Sequence, residues 1–136
     1  SALEGLRQFE LFCKTREREV RLSQERGREF LLCHRLFRSH RTGRVIRSEF
    51  TRFSFPPGWH YDILRALDHF QAAGADRDPR LGEAIEIVRS RCGSDGLWPL
   101  QNRHAGKSFF EMETVGGPSR WNTLRALRVL KWWERS

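Results

Sequence analysis

The stretch Trp59-His60-Tyr61-Asp62-Ile63-Leu64-Arg65-Ala66-Leu67 decides the reading of this chain, because much of it returns sixty residues later. Its second copy is Ser119-Arg120-Trp121-Asn122-Thr123-Leu124-Arg125-Ala126-Leu127: Leu-Arg-Ala-Leu is identical, Tyr61-Asp62 meets Trp121-Asn122, and His60 meets Arg120. Self-similarity at a fixed offset marks a repeat architecture, in which each unit buries its apolar face against a neighbour. Each copy opens with an aromatic and a short polar residue where a helix would begin. Each also follows a narrower amphipathic segment and a glycine-bearing loop, so the repeating unit reads as outer helix, loop and wide-faced inner helix.

The helices around this repeat are marked by their caps. Pro56-Pro57-Gly58 introduces the first inner helix, which carries Ile63, Leu64, Ala66, Leu67 and Phe70 and stops at Gly74 in the left-handed conformation. Its apolar face is wider than one stripe, so cover on two sides is expected. Asp78-Pro79 starts the next helix, with aspartate as cap and proline at the first position. There Leu81, Ala84, Ile85, Val88 and Cys92 recur at spacings of three and four, a single buried stripe that ends at Gly93-Ser94-Asp95-Gly96. The last helix, from about Ser119 to Trp133, is expected to be wide-faced: Trp121, Leu124, Leu127 and Leu130 form one row, broadened by Ala126, Val129 and Trp133.

Nearer the N-terminus, Leu3, Leu6, Phe9 and Cys13 predict a short helix. A longer one is expected from about Thr15 to Phe37, with Val20, Gly27, Phe30, Leu31 and Phe37 inward and Arg16 to Glu19 in water. The expected organisation is one domain over residues 1–136, all-α, with helix pairs near 3–38 and 57–92, a last helix at 118–134, and long loops at 39–56 and 93–117.

Composition bounds the rest. A chain of 136 residues with 38% hydrophobic residues and five tryptophans supports one folded core. No stretch approaches the roughly 20 apolar residues of a transmembrane helix and none resembles a signal peptide, so a cytoplasmic location is expected. The opening Ser1-Ala2-Leu3 lacks methionine, which suggests a tag remnant or a piece of a longer protein. Cys13, Cys33 and Cys92 have neither disulfide nor zinc-site spacing and read as buried thiols. The net charge of +8 comes mostly from arginine, with Arg35, Arg38, Arg41, Arg44 and Arg47 at every third position. Such an edge permits contact with phosphate, but no aromatic residues alternate with the arginines to stack bases. A solvated basic edge is preferred, with a nucleic-acid-binding module kept as an alternative.

The loop before each inner helix carries a further signal. Cys92-Gly93-Ser94-Asp95-Gly96-Leu97-Trp98 resembles the Gln-x-x-x-Gly-x-Trp loop of the α/α-toroid family shared by squalene-hopene cyclases, other terpene cyclases and protein prenyltransferase β-subunits; it keeps the glycine and tryptophan and loses the glutamine. Ser39-His40-Arg41-Thr42-Gly43-Arg44-Val45 keeps only the glycine. The segments Phe55 to Asp62 and Ser119 to Arg125 resemble those of bacterial members. The resemblance implies an incomplete α/α-toroid segment, with inner and outer helices flanking an apolar cavity. Closure of a toroid takes about five to seven pairs; with two and a half here, a second copy or the remainder of a longer chain would cover the flanks.

The chemistry that this resemblance implies is only partly represented. Cyclases would bring an Asp-x-Asp-Asp acid motif; the nearest string, Asp76-Arg77-Asp78, reads as a turn and cap. Prenyltransferases would bring an Asp, Cys and His set on zinc, yet adjacent Cys33 and His34 point about 100° apart on a helix. No metal or cofactor is therefore assigned. The candidate ligand pocket gathers where the inner helices begin: Trp59, His60, Tyr61, Asp62 and Arg65 from one copy, Arg120, Trp121, Asn122 and Arg125 from the other. Phe53, Phe55, Trp98, Glu111 and Glu113 reach it from loops. An aromatic wall with a few polar groups suits an isoprenoid-like or other apolar molecule. The competing reading is structural: Asp62 and Asn122 cap helices, with Asp62 tending to a lowered pKa, and Arg65 and Arg125 pair with Glu113 or Asp62. His40, His69 and His104 are expected at exposed positions. The expected function is a toroid-like domain, non-catalytic by itself, binding an apolar ligand or a protein partner; the alternative is part of an isoprenoid cyclase or prenyl-transfer enzyme whose acid or metal site lies outside this chain.

Overall fold

A computed structural model describes residues 2–135. Ser1, with the reading of the chain's opening that rests on it, lies outside them. The described residues form five α-helices and no strand: α1 (Ala2–Phe12), α2 (Glu17–Cys33), α3 (Ile63–Ala72), α4 (Gly82–Ser90) and α5 (Arg120–Glu134). Helix α1 folds back along α2, and α3 lies against α5. The two copies of the repeat are therefore direct neighbours, tied across the offset of sixty by Arg128 donating to Asp68 at 3.0 Å.

Local chemistry sets the helix ends. Asp62 accepts the N–H of Arg65, Asp78 that of Arg80 with Pro79 at the first position of a short 3-10 turn, and Ser119 that of Asn122. Gly74 takes φ 61° after α3, as the sequence requires. Helix α3 starts at Ile63 rather than just after Pro57, because residues 57–62 form a turn and coil that leads into the Asp62 cap. Helix α2 ends at Cys33, earlier than expected, because Arg35 and Leu36 adopt positive φ of 46° and 70°. That turn carries Leu36 and Phe37 into the core.

The core is built from Leu32, Leu36, Phe37 and Phe53 with α3, α4 and α5. Helix α3 is covered on two sides as expected: Ile63, Leu64, Ala66, Leu67 and Phe70 are all buried. Of the expected stripe, Leu81 in the 3-10 turn before α4 and Ala84, Ile85 and Val88 on α4 are fully buried, while Cys92 just beyond the helix is only partly buried. Helix α5 is rotated relative to the sequence reading. Ala126 and Val129 face the core with Asn122, Thr123 and Arg125, whereas Trp121, Leu124 and Leu127 are 39%, 48% and 53% exposed. The polar residues win the inner face because backbone carbonyls of the loops wait there for donors, as described below. Phe30, expected inward, is 63% exposed beside α1.

The long connections are ordered by each other. Ser54 and Asn102 form a parallel bridge, the N–H of Gln101 donates to the carbonyl of Phe53, and the Gln101 side chain accepts the N–H of Phe53. Phe53 and Leu100 are buried by this pairing. No helix among the described residues is long and apolar enough to cross a membrane.

Candidate functional site

The N-terminal ends of α3 and α5 do meet, and the residues between them are chiefly engaged with one another. Arg125 is 7% exposed; its Nη2 donates to the carbonyl of Ser54 at 3.1 Å and to Oδ1 of Asn122 at 2.8 Å. Its guanidinium lies over the Phe55 ring, 5.5 Å from the centroid, and Phe55 stacks on Trp121 at 5.2 Å. Asn122 is fully buried and does not cap α5, a task Ser119 performs; its Nδ2 donates instead to the carbonyls of Phe53 and Pro99. These contacts sew both loops to α5.

Asp62 is the buried acid of the cluster. Burial pushes its carboxyl above the usual carboxylate range, opposed by the charge of Arg125 and by the N–H groups of Arg65, Ser54 and Leu64. This reverses the lowered value expected for a helix cap: desolvation outweighs the cap at a site this dry. Burial likewise lowers the Arg125 pKa, and its Nε has no partner among the described residues.

The remaining predicted residues diverge. Trp98 is buried, its Nε1 donating to the carbonyl of Val88 at 2.7 Å, so it wedges the loop against α4. Glu113 accepts the N–H of Arg120 at the start of α5, with its second oxygen buried and without a partner among the described residues. Glu111 pairs with Arg103. Trp59 is 82% exposed and stacks on His60, which stacks in turn on His104 at 3.6 Å; His104 Nε2 shares a hydrogen bond with Ser54 Oγ. His104 is thus partly enclosed rather than free in solvent, and burial followed by the charge of His60 lowers its pKa. A cavity of about 350 Å³ beside this cluster is lined by Phe55, Leu100, His104, Phe110, Glu111 and Glu113 among others. It lies outside the α3–α5 seam, beneath the loop of residues 103–113.

Tyr61 and Arg65 belong to a second place. Tyr61 donates to the carbonyl of Leu36 at 2.6 Å, and Arg65 makes a two-pronged ion pair with Glu4 of α1 rather than with Asp62 or Glu113. Arg65 also holds the carbonyls of Gly58 and His60. Glu4 is held down to about 2 by that guanidinium. Both residues line a cleft of about 310 Å³ between α1, α2 and α3, with Leu3, Gly27, Phe30, Leu31, Ala66 and His69. Helix α1 comes close because Gly27 has no side chain: a Cβ there would stand 2.6 Å from Leu3 Cδ2.

His69 is the residue that sequence reasoning missed. It is 6% exposed, not at the surface, and Nε2 is buried without a partner among the described residues. Burial lowers its pKa to about 4, so the ring is neutral at pH 7. The repeat held the clue, since His69 stands sixty residues before Val129, a core position.

Elsewhere, Arg38 from the basic run is clamped bidentately to Glu83 at 2.5–3.1 Å, while Arg41, Arg44 and Arg47 are exposed. Asp78 pairs with Arg80 and caps the following turn. Cys33 donates to Glu29, which raises its thiol pKa, and all three cysteines are free and partly buried. Among the described residues no group of three or more His, Cys, Asp or Glu side chains is placed to hold a metal ion. No family model, curated protein or solved structure matches the chain.

Proposed function

We propose that this chain is a helical-repeat binding module of the α/α-toroid kind, whose working surface is the outward row of α5 and whose partner there is a helix of a second copy. The carrying observation is the unequal fate of equivalent residues. Leu64 and Leu67 of α3 are fully buried, while their counterparts Leu124 and Leu127 are about half exposed. Tyr61 is half-buried, while its counterpart Trp121 lies in the exposed row. A row that the repeat covers at its first occurrence is a row built to be covered at its second. Several large apolar side chains aligned on one helix face mark an association surface rather than scattered surface apolarity.

Sedimentation velocity over a concentration series tests this. The wild-type chain is expected to associate reversibly, and Leu124→Glu with Leu127→Glu to remain monomeric with an unchanged far-ultraviolet spectrum. A wild-type chain that stays monomeric up to about 1 mM, where even a contact of about −4 kcal/mol would register, contradicts the reading.

A further inference from the structure

Within the arginine run of residues 35–47 the one ring of a phenylalanine, Phe37, is buried, and the fold brings other rings to the arginines instead. Arg35 and Leu36, at positive φ, turn the chain back after α2. The hairpin that follows is closed by an antiparallel bridge between Arg38 and Val45 and by the Ser39 N–H on the Arg44 carbonyl at 2.7 Å. Its His40 comes to rest beside the end of α2, where Phe30 and His34 stand four residues apart on one helix face. Ring centroids lie 4.5 Å apart from Phe30 to His34 and 6.2 Å from His34 to His40. Backbone bonds fix both imidazoles: Nδ1 of His34 donates to the Phe30 carbonyl at 2.8 Å, and Nδ1 of His40 to the Cys33 carbonyl at 3.2 Å. Phe30 is 63% exposed and His40 is exposed, so the row is open to solvent at both ends.

The charge around this row has one sign. No acidic residue occurs from Phe30 to Ser48, and Arg35, Arg41 and Arg44 are exposed without an ion pair among the described residues. The two acids that approach are already matched. Glu83 shares the walls of a cavity of about 520 Å³ with Arg35, Arg38 and His40, and Arg38 clamps it with two prongs at 2.9 and 2.5 Å. Glu29, which accepts from the Cys33 thiol, is held by Arg80 at 2.8 and 3.0 Å. Three unmatched guanidiniums and three oriented rings thus share the end of α2. We propose that this surface binds single-stranded nucleic acid, with bases against Phe30, His34 and His40 and backbone phosphates on Arg35, Arg41 and Arg44. The rings select the single strand, whose unpaired bases offer faces for stacking that a duplex keeps inside its own stack. An anionic bilayer would be served by the arginines alone and would leave the fixed rings without a role. No residue of α5 takes part, so this surface is independent of the association row.

The test is fluorescence anisotropy of the full chain with labelled oligothymidine and oligouridine of about ten nucleotides, a length within the range of single-strand sites. A duplex and an abasic strand of the same length serve as controls, the latter keeping every phosphate and no base. At least one of the two single strands is expected to bind more tightly than both controls. Its log affinity should fall with log salt at a slope of about −2, the value for three phosphates on a single strand. Phe30→Ala, at an exposed position where the fold should be unaffected, is expected to weaken binding about tenfold and leave that slope unchanged. Arg41→Gln with Arg44→Gln should instead flatten the slope by about 1. The proposal is overturned if the duplex or the abasic strand binds as tightly as the single strands, if Phe30→Ala binds as the wild type does, or if the arginine variant keeps the full slope. Binding to phosphatidylserine vesicles with none to either single strand would overturn it as well.

Discussion

Replacing Arg125 by methionine probes the seam on which the fold depends. Methionine keeps most of the buried apolar stem and removes only the guanidinium. Two buried acceptors, the Ser54 carbonyl and Asn122 Oδ1, then lose a charged donor, and Asp62 loses the cation that offsets its burial. Hydrogen bonds from a charged donor contribute about 1.5–3 kcal/mol each, so the loss of these two is expected to cost about 3–4 kcal/mol. With a urea slope of about 2 kcal/mol per molar, the unfolding midpoint should fall by roughly 1.5–2 M. Asp62→Asn keeps an oxygen for the cap and replaces the ionisable carboxyl by a neutral amide. In the double variant the losses should fall short of additivity by about 1–2 kcal/mol, because the orphaned acid is gone. Urea titrations of the four proteins, followed by circular dichroism, measure this directly. A single-variant loss below about 1 kcal/mol, or strict additivity, would refute the account of Arg125 as the buried tie between α3, α5 and the loops.

Two other predictions concern stability. His69 titrates near 4 when folded against 6.5 ordinarily, so the unfolded chain binds the extra proton between these values and stability falls as pH drops through that window. The shift corresponds to about 3 kcal/mol, and to about 2 kcal/mol once solvent screening at the cleft mouth is allowed for; Arg7 and Arg28 add to it and Glu4 opposes it. Urea midpoints between pH 7 and 4 check it, and His69→Leu should flatten the curve there. Glu4 adds a second loss as pH falls from 4.5 towards 2, where its pairing with Arg65 is protonated away, and Glu4→Gln should remove that later stage. Trp98→Phe removes one of the two donors on the Val88 carbonyl, leaving the N–H of Arg91, and should cost about 0.5–1.5 kcal/mol in chemical denaturation, with no change in association.

Much of this fold is legible in the sequence because its helix ends are written in side-chain chemistry. Asp78-Pro79, Ser119 and Gly74 act through groups one to three residues away, and no tertiary context is needed to read them. The facing of α5 was not legible by the same means. Counting apolar residues selects the Trp121, Leu124 and Leu127 row, whereas the folded chain turns Asn122 and Arg125 inward. Their partners are backbone carbonyls of Phe53, Ser54 and Pro99, which no periodicity displays. The candidate site divides in the same way. Asp62, Asn122 and Arg125 do converge as the repeat implies, but into a closed seam. Tyr61 instead turns to the Leu36 carbonyl beyond α2, and Arg65 to Glu4 of α1, sixty-one residues upstream. His69 was misplaced because histidine is ordinarily a surface residue, although its alignment with Val129 already pointed inward.

The central claim is that α5 buries its Ala126 and Val129 face against the rest of the fold and leaves its leucine row open. Thiol labelling measures that orientation most directly, with Cys13, Cys33 and Cys92 replaced by serine and single cysteines introduced as Leu124→Cys or Ala126→Cys, in dilute solution. Position 124 should label at nearly the rate of a free thiol, and position 126 only at the rate of unfolding. Equal rates at the two positions, or faster labelling at 126, would contradict the account.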